Sequence, residues 1–229
     1  MTRRLVIPAV LLGVLVAAVP ASAHHVACGD TITQDTTLDS DLVDCPGTGL
    51  WIGGERDGIT LDLNGHTIDG SGVEAGIDAA SGTIRDGVVR DFGVGFSLGG
   101  NDATVRRMAI LANSNGGIYS WGGGGPRGIR IEHNTISNNL GAGILLSDAG
   151  ENVVRKNVIT GNASGVGLVW ASFNRIEQNE VRANLGDGVH IVGDEGGVNG
   201  NVIEANVASA NGDDGIDIDD QVLSPRATT

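Results

Sequence analysis

A nonamer of the form I/V-x-x-N-x-I/V-x-x-N returns four times in the second half of the chain and constrains its fold more than any other feature. It reads IEHNTISNN from Ile131, VRKNVITGN from Val154, IEQNEVRAN from Ile176 and IEANVASAN from Ile203, the last with Ala208 where the others carry Ile or Val. Successive copies begin 22 to 27 residues apart. That period belongs to a solenoid, in which each repeat buries its apolar face only against its neighbours. A residue that recurs in every copy is therefore scaffold before it is chemistry.

A second marker precedes each nonamer: a glycine followed by an apolar-x-apolar triplet. The glycines are Gly76, Gly95, Gly117, Gly143, Gly167, Gly188 and Gly215, and the triplets are IDA, FSL, IYS, ILL, LVW, VHI and IDI. Such alternation predicts short strands with the first and third residues inward and the middle one outward. The outward column then reads Asp78, Ser97, Tyr119, Leu145, Val169, His190 and Asp217, and Trp170 falls inward as core. Earlier copies keep the register as VRRMAILAN from Val105 and IRDGVVRDF from Ile84, and ITLDLNGHTI from Ile59 to Ile68 is an earlier coil with an Asn64-Gly65 turn. Seven to nine coils are expected, a rod of roughly 35–40 Å at the spacing of stacked strands.

The asparagines form columns: Asn134, Asn157, Asn179 and Asn206; then Asn113, Asn139, Asn162, Asn184 and Asn211; and a weaker set of Asn152, Asn174 and Asn201. Inward amides at turns satisfy backbone groups that would otherwise be buried unpaired. The 38 glycines and 3% aromatic residues suit tight coils rather than an ordinary globular core.

Residues 1–23 read as a secretory signal peptide, with Arg3 and Arg4 ahead of an apolar stretch from Leu5 to Val19 and Ala21-Ser22-Ala23 as the cleavage site. No other segment has the length to span a membrane, so a secreted, periplasmic or extracellular product is expected. Export makes a Cys28–Cys45 disulfide the default. Closing about 17 residues, it is worth about 3 kcal/mol in the chain-entropy model. Residues 24–48 are expected to cap the solenoid, 49–220 to coil, and 221–229 to form a disordered tail. A formal charge of −14 excludes a basic nucleic-acid face and disfavours anionic membrane.

Coils of this length with asparagine ladders resemble the right-handed parallel β-helix repeats of the pectate-lyase-like superfamily. The opening CGDTITQDTTLDSDLVDCPGTGLWIGGERDGITLDLNGHTIDG resembles the N-terminus of secreted bacterial β-helix proteins of the NosD-like and carbohydrate-binding/sugar-hydrolase groups. The resemblance covers residues 28–220 and implies an all-β, single-domain solenoid. It implies less about function, because the same coil serves lyases, hydrolases, epimerases, adhesins and copper-delivery proteins. The Asn-Thr-Asp, Gly-His-Gly and Arg-x-Lys motifs of polygalacturonases and the Asp-Pro-His-Glu motif of alginate epimerases are absent.

Two departures from the repeat are candidate sites. Asp187-Gly-Val-His190 should stack on Asp214-Gly-Ile-Asp217, with Asp213, Asp219 and Asp220 nearby. Stacking would set Asp187 and Asp214 about 5 Å apart, the carboxylate spacing of a retaining glycosidase. Like charges at that distance would raise one carboxyl pKa. His190 would serve as base or metal ligand, and Asp187, Asp213 and Asp214 offer oxygens for calcium. The opposing reading is an ordinary solvated Asp/Gly turn. The second departure is Tyr119 and Trp121 on one outer face, beside the insertion Gly122 to Pro126, as a platform for sugar. Its opposing reading is a lid on the neighbouring coil.

Three functions follow. The first is an extracellular protein that binds, and in one version cleaves as a lyase or hydrolase, a polysaccharide along its outer face. The second is a non-catalytic structural or adhesive solenoid. The third is a NosD-like copper-handling protein, with a terminal His24 freed by cleavage after Ala23.

Overall fold

The computed structural model describes residues 25–53, 58–121, 125–194 and 198–221, with the side chains of Asp194, Asp220 and Gln221 left aside. The signal peptide, His24, Gly122 to Gly124 of the insertion and residues 222–229 of the expected tail lie outside the described residues. Every element described is a strand. All pairings are parallel between consecutive coils, giving a right-handed β-helix of about eight turns with two sheets.

The front sheet has nine strands, Thr31–Ile32, Leu50–Ile52, Ala75–Ala79, Val94–Leu98, Gly116–Ser120, Ala142–Ser147, Ser164–Val169, Val189–Asp194 and Ile216–Gln221. The back sheet has fourteen and is bent. Each nonamer supplies two of its strands, such as Arg130–Glu132 and Thr135–Ser137, while Thr83–Arg90 and Thr104–Leu111 run unbroken through the bend. The expected cap is itself wound into the coil: Thr31–Ile32 pairs with the front strand after it, and Leu42–Cys45 pairs with Thr67–Gly70. The Cys28–Cys45 disulfide is formed in this first coil.

Inward residues stack as columns. Leu50, Ile77, Phe96, Ile118, Ile144, Val166 and Val189 lie in register and are all buried. Each bend in a nonamer is made by a residue of positive φ just before the asparagine, as at His133 (φ 58), Lys156 (φ 54) and Gln178 (φ 57). The asparagine that follows closes the corner with its amide. Asn134 donates its backbone N–H and Nδ2 to Asn157 Oδ1 at 2.9 and 3.0 Å, and its Nδ2 also reaches the Val105 carbonyl at 2.9 Å. The set expected to be weaker is bonded in the same way, with Asn152 donating to Asn174 Oδ1 at 3.1 and 3.0 Å. Where Met108 and Phe92 replace asparagine, their backbone N–H groups still donate to Asn134 and Asn113.

One coil departs from the sequence-derived register. Val166, Gly167 and Leu168 pair with Ile144, Leu145 and Leu146, so the column glycine is Gly165 and the outward residue is Gly167, not Val169. The shift of two residues carries Trp170 past the end of the strand. It is 55% exposed rather than core. At the far end, Ile216 and Ile218 continue the inward columns of Val189 and Ile191 but are themselves exposed. Gln221, assigned to the tail from sequence, closes the last front strand.

Candidate functional site

The outer face of the front sheet carries both sequence-derived candidates, the aromatic pair at mid-sheet and the acidic group at its C-terminal end. Its central column runs Thr31, Trp51, Asp78, Ser97, Tyr119, Leu145, Gly167, His190 and Asp217.

At the C-terminal end, register stacks His190 directly on Asp217. Asp187 stands at the centre of the group: its Oδ2 accepts from His190 Nδ1 at 2.9 Å and its Oδ1 accepts the Asp214 backbone N–H at 3.0 Å. Both oxygens are thus engaged, and only 14% of the side chain is exposed. Asp217 lies 3.8 Å from His190 Nδ1, and Asp219 lies 3.8 Å from Nε2. Ligand atoms of Asp187, His190 and Asp217 fall within 4.8 Å of one another, as do those of Asp187, Asp213 and Asp214. Either set is compact enough to share one cation. The all-carboxylate set suits a hard ion such as Ca²⁺, which needs further oxygens to reach its usual six to eight. A cation there would compete with the Asp214 N–H and the imidazole for Asp187.

At the middle of the sheet the two aromatics part. Tyr119 lies over Gly116 and Gly141, where an added Cβ would strike its ring or hydroxyl. Its hydroxyl donates to the Asn115 carbonyl at 3.2 Å, and burial pushes the phenol pKa up. It is half-buried packing rather than an open platform. Trp121, 66% exposed, leans back one coil and donates its indole N–H to Ser97 Oγ at 3.3 Å.

That tilt closes one side of a groove of about 270 Å³, lined by Trp51, Glu74, Asp78, Ser97 and Trp121 among others. Trp51, 44% exposed, forms its other wall. A second hollow, of about 430 Å³, continues past Trp51 to the disulfide and shares Thr48, Trp51 and Glu74 with the first. The reading from sequence began its column at Asp78 and so missed Trp51. The signal was present, since Gly49-Leu50-Trp51-Ile52 is a glycine and apolar-x-apolar triplet one coil earlier.

The back face is different in kind. Its ion pairs run up the coils, as in Arg155–Glu132 at 2.6 Å and Arg107–Asp86 at 2.5 Å. Exposed pairs of this type contribute little each. Of the other histidines, His25 meets Asp39 at 3.0 Å and His66 meets Asp41 at 2.9 Å, both through Nδ1.

Residues 71–222 match the family described as right handed beta helix region. No curated protein matches the chain significantly. Among solved structures, the mannuronan C-5 epimerase AlgE6 A-module of Azotobacter vinelandii is similar at 13% identity over 86% of this chain and 81% of that one, with a TM-score of 0.24. So loose a superposition transfers no residue role.

Proposed function

The chain belongs to the right-handed β-helix family, and from that premise we propose that it binds an extended polysaccharide along the outer face of its front sheet. The observation that carries this reading is the pair of exposed indoles, Trp51 and Trp121, walling one groove in a chain with 3% aromatic residues. Indole faces pack on the apolar faces of sugar rings, and the carboxylates and hydroxyl between them bond sugar hydroxyls. Tyr119 takes the position after Ser97 in the same outward column; Asp187, His190, Asp214 and Asp217 form the polar end of the same face. Export to the periplasm or beyond belongs to this reading, and the disulfide fits an oxidising compartment. Among the described residues no helix is long and apolar enough to cross a membrane.

A second reading, cleavage at the C-terminal end, draws on the Asp187–His190 hydrogen bond, since a carboxylate that orients an imidazole is the arrangement of a general base. Calcium held by Asp187, Asp213 and Asp214 would be its accompanying ion.

Calorimetry with soluble neutral, amino-sugar and uronate polysaccharides tests the first reading. Binding to at least one class, weakened tenfold or more in Trp121→Ala, is expected; no binding to any class removes it. Turnover lost in His190→Ala with affinity retained would establish the second.

A further inference from the structure

We propose that the polymer recognised by this face is cationic, a glycan of amino sugars whose ammonium groups are received between the two indoles. The inference rests on the glycan-binding reading above and names the substrate class of the same groove.

Its first ground is the separation of charge around the coil. Among the described residues, no lysine or arginine lies on a front-sheet strand. Every described one, from Arg85 to Arg182, sits on the back sheet, in the turns within it, or, as Arg127, at the corner leading into it. The front face instead carries Glu74 and Asp78 in the groove and Asp187, Asp217 and Asp219 at the far end. On the back face acids are matched by arginines; on the front the one cationic candidate among the described residues is His190. A uronate polymer laid along this face would meet repulsion at both acidic groups, each felt within the Debye length of about 8–10 Å.

The second ground is the make-up of the groove. Trp51 and the Ser97 that anchors Trp121 are two strand spacings apart, about 10 Å. The row between them holds Asp78, with Glu74 at its edge. Two indole faces and two carboxylates around one opening make an environment that attracts an ammonium group, by the ring quadrupoles and by charge together. A neutral sugar would use the indoles and give the carboxylates hydroxyl hydrogen bonds but no counter-charge; an anionic sugar would be repelled by them. An amino sugar presents a ring to the indoles and a cation to the carboxylates.

The groove and the acidic C-terminal group are five strands apart, about 24 Å. A polymer along the helix axis would offer several ammonium groups to both at once and gain by multivalency.

Calorimetry on the intact protein should use four probes: a hexamer of β-1,4-linked glucosamine, the same hexamer N-acetylated, an oligogalacturonate of equal length, and poly-lysine. The glucosamine hexamer should bind tightest, at least tenfold above its acetylated form, with the oligogalacturonate not binding. Its affinity should fall tenfold or more in Glu74→Gln/Asp78→Asn and in Trp51→Ala, each shown by circular dichroism to keep its sheet content. Three results would overturn the inference: acetylated or uronate hexamers binding as tightly in a Trp121-dependent way, which leaves the glycan reading standing; poly-lysine matching the amino sugar with the same tryptophan dependence; or an amino-sugar affinity indifferent to Glu74 and Asp78. If none of the sugars binds, both readings fall together.

Discussion

Asp187 accepts a hydrogen bond from His190 three residues on, and with its other oxygen it holds the backbone N–H of Asp214 in the following coil. One carboxylate thus sets the imidazole and pins the start of the last front strand. Asp187→Ala removes both at once, leaving a backbone donor without its acceptor. We expect it to destabilise the terminal coil by about 1–2 kcal/mol. Hydrogen exchange should quicken in Ile216–Gln221 and stay unchanged in Gly116–Ser120. His190→Ala, which leaves the Asp214 bond intact, should cost less than half as much. Equal effects of the two substitutions would show that Asp187 does not tie the coils.

The asparagine ladder makes a graded prediction. Asn157 accepts from the N–H and Nδ2 of Asn134, and donates to the Ile131 carbonyl and to Asn179, with 1% of its surface exposed. Asn157→Ala leaves Asn134 N–H and Ile131 C=O buried and unpaired, at a cost of about 3–5 kcal/mol. Asn206 makes the equivalent bonds to Asn179 and Ile176, but in the half-buried last coil, where water replaces them. Asn206→Ala should therefore cost about 1 kcal/mol. Urea unfolding of the two variants checks the ratio, and similar losses would deny the ladder its cooperative burial.

These columns were legible before any coordinates because period-2 alternation and a fixed repeat determine which residues face inward. Register was not legible everywhere. Ser164-Gly-Val-Gly-Leu-Val-Trp170 contains two glycines two apart, each followed by an apolar-x-apolar triplet, so local pattern cannot choose between them. What chooses is the next coil, whose Gly188 carbonyl leaves no room for a side chain at 165. The same limit explains the candidate site. Stacking of Asp187, His190, Asp214 and Asp217 follows from the repeat. The folding of Tyr119 onto Gly116 and the tilt of Trp121 onto Ser97 are rotamer choices that spacing does not encode.

That choice of glycine can be tested directly. A Cβ at position 165 would meet the Gly188 carbonyl oxygen and Val181 Cγ1, one of them rigid backbone. At position 167 its one tight neighbour would be Leu145 Cδ1 at 3.0 Å, the far end of a flexible side chain on the outer face, with the Ile144 carbonyl at an ordinary 3.9 Å. Gly165→Ala should cost about 2–3 kcal/mol through overpacking, while Gly167→Ala should be within about 0.5 kcal/mol of neutral. Thermal unfolding separates the two. A reversed order would restore the register read from sequence and return Trp170 to the interior.

The back face makes a prediction about acid. Arg107 grips Asp86 with two bonds, Nε to Oδ1 at 2.5 Å and Nη2 to Oδ2 at 2.6 Å, and Arg85 adds a third at 2.6 Å. Chiefly through Arg107, the carboxyl pKa is lowered from 3.8 to about 2. A carboxyl held below its unfolded value stabilises the fold fully above the unfolded pKa, and that contribution is lost as pH falls toward the folded one. The window here is therefore from about pH 4 down to about pH 2. The shift alone converts to roughly 2 kcal/mol, and with Arg107 half exposed solvent screening reduces it to about 1 kcal/mol. Asp86→Asn keeps the shape without the charge. Its stability, followed by urea unfolding at pH 5 and pH 2, should fall by about 1 kcal/mol less than that of the unsubstituted protein. If both fall equally, the Arg107–Asp86 fork is only a surface contact and acid sensitivity must be sought at Asp39 and Asp41, whose carboxyls are also lowered by their neighbours, His25 and the Thr67 backbone N–H respectively.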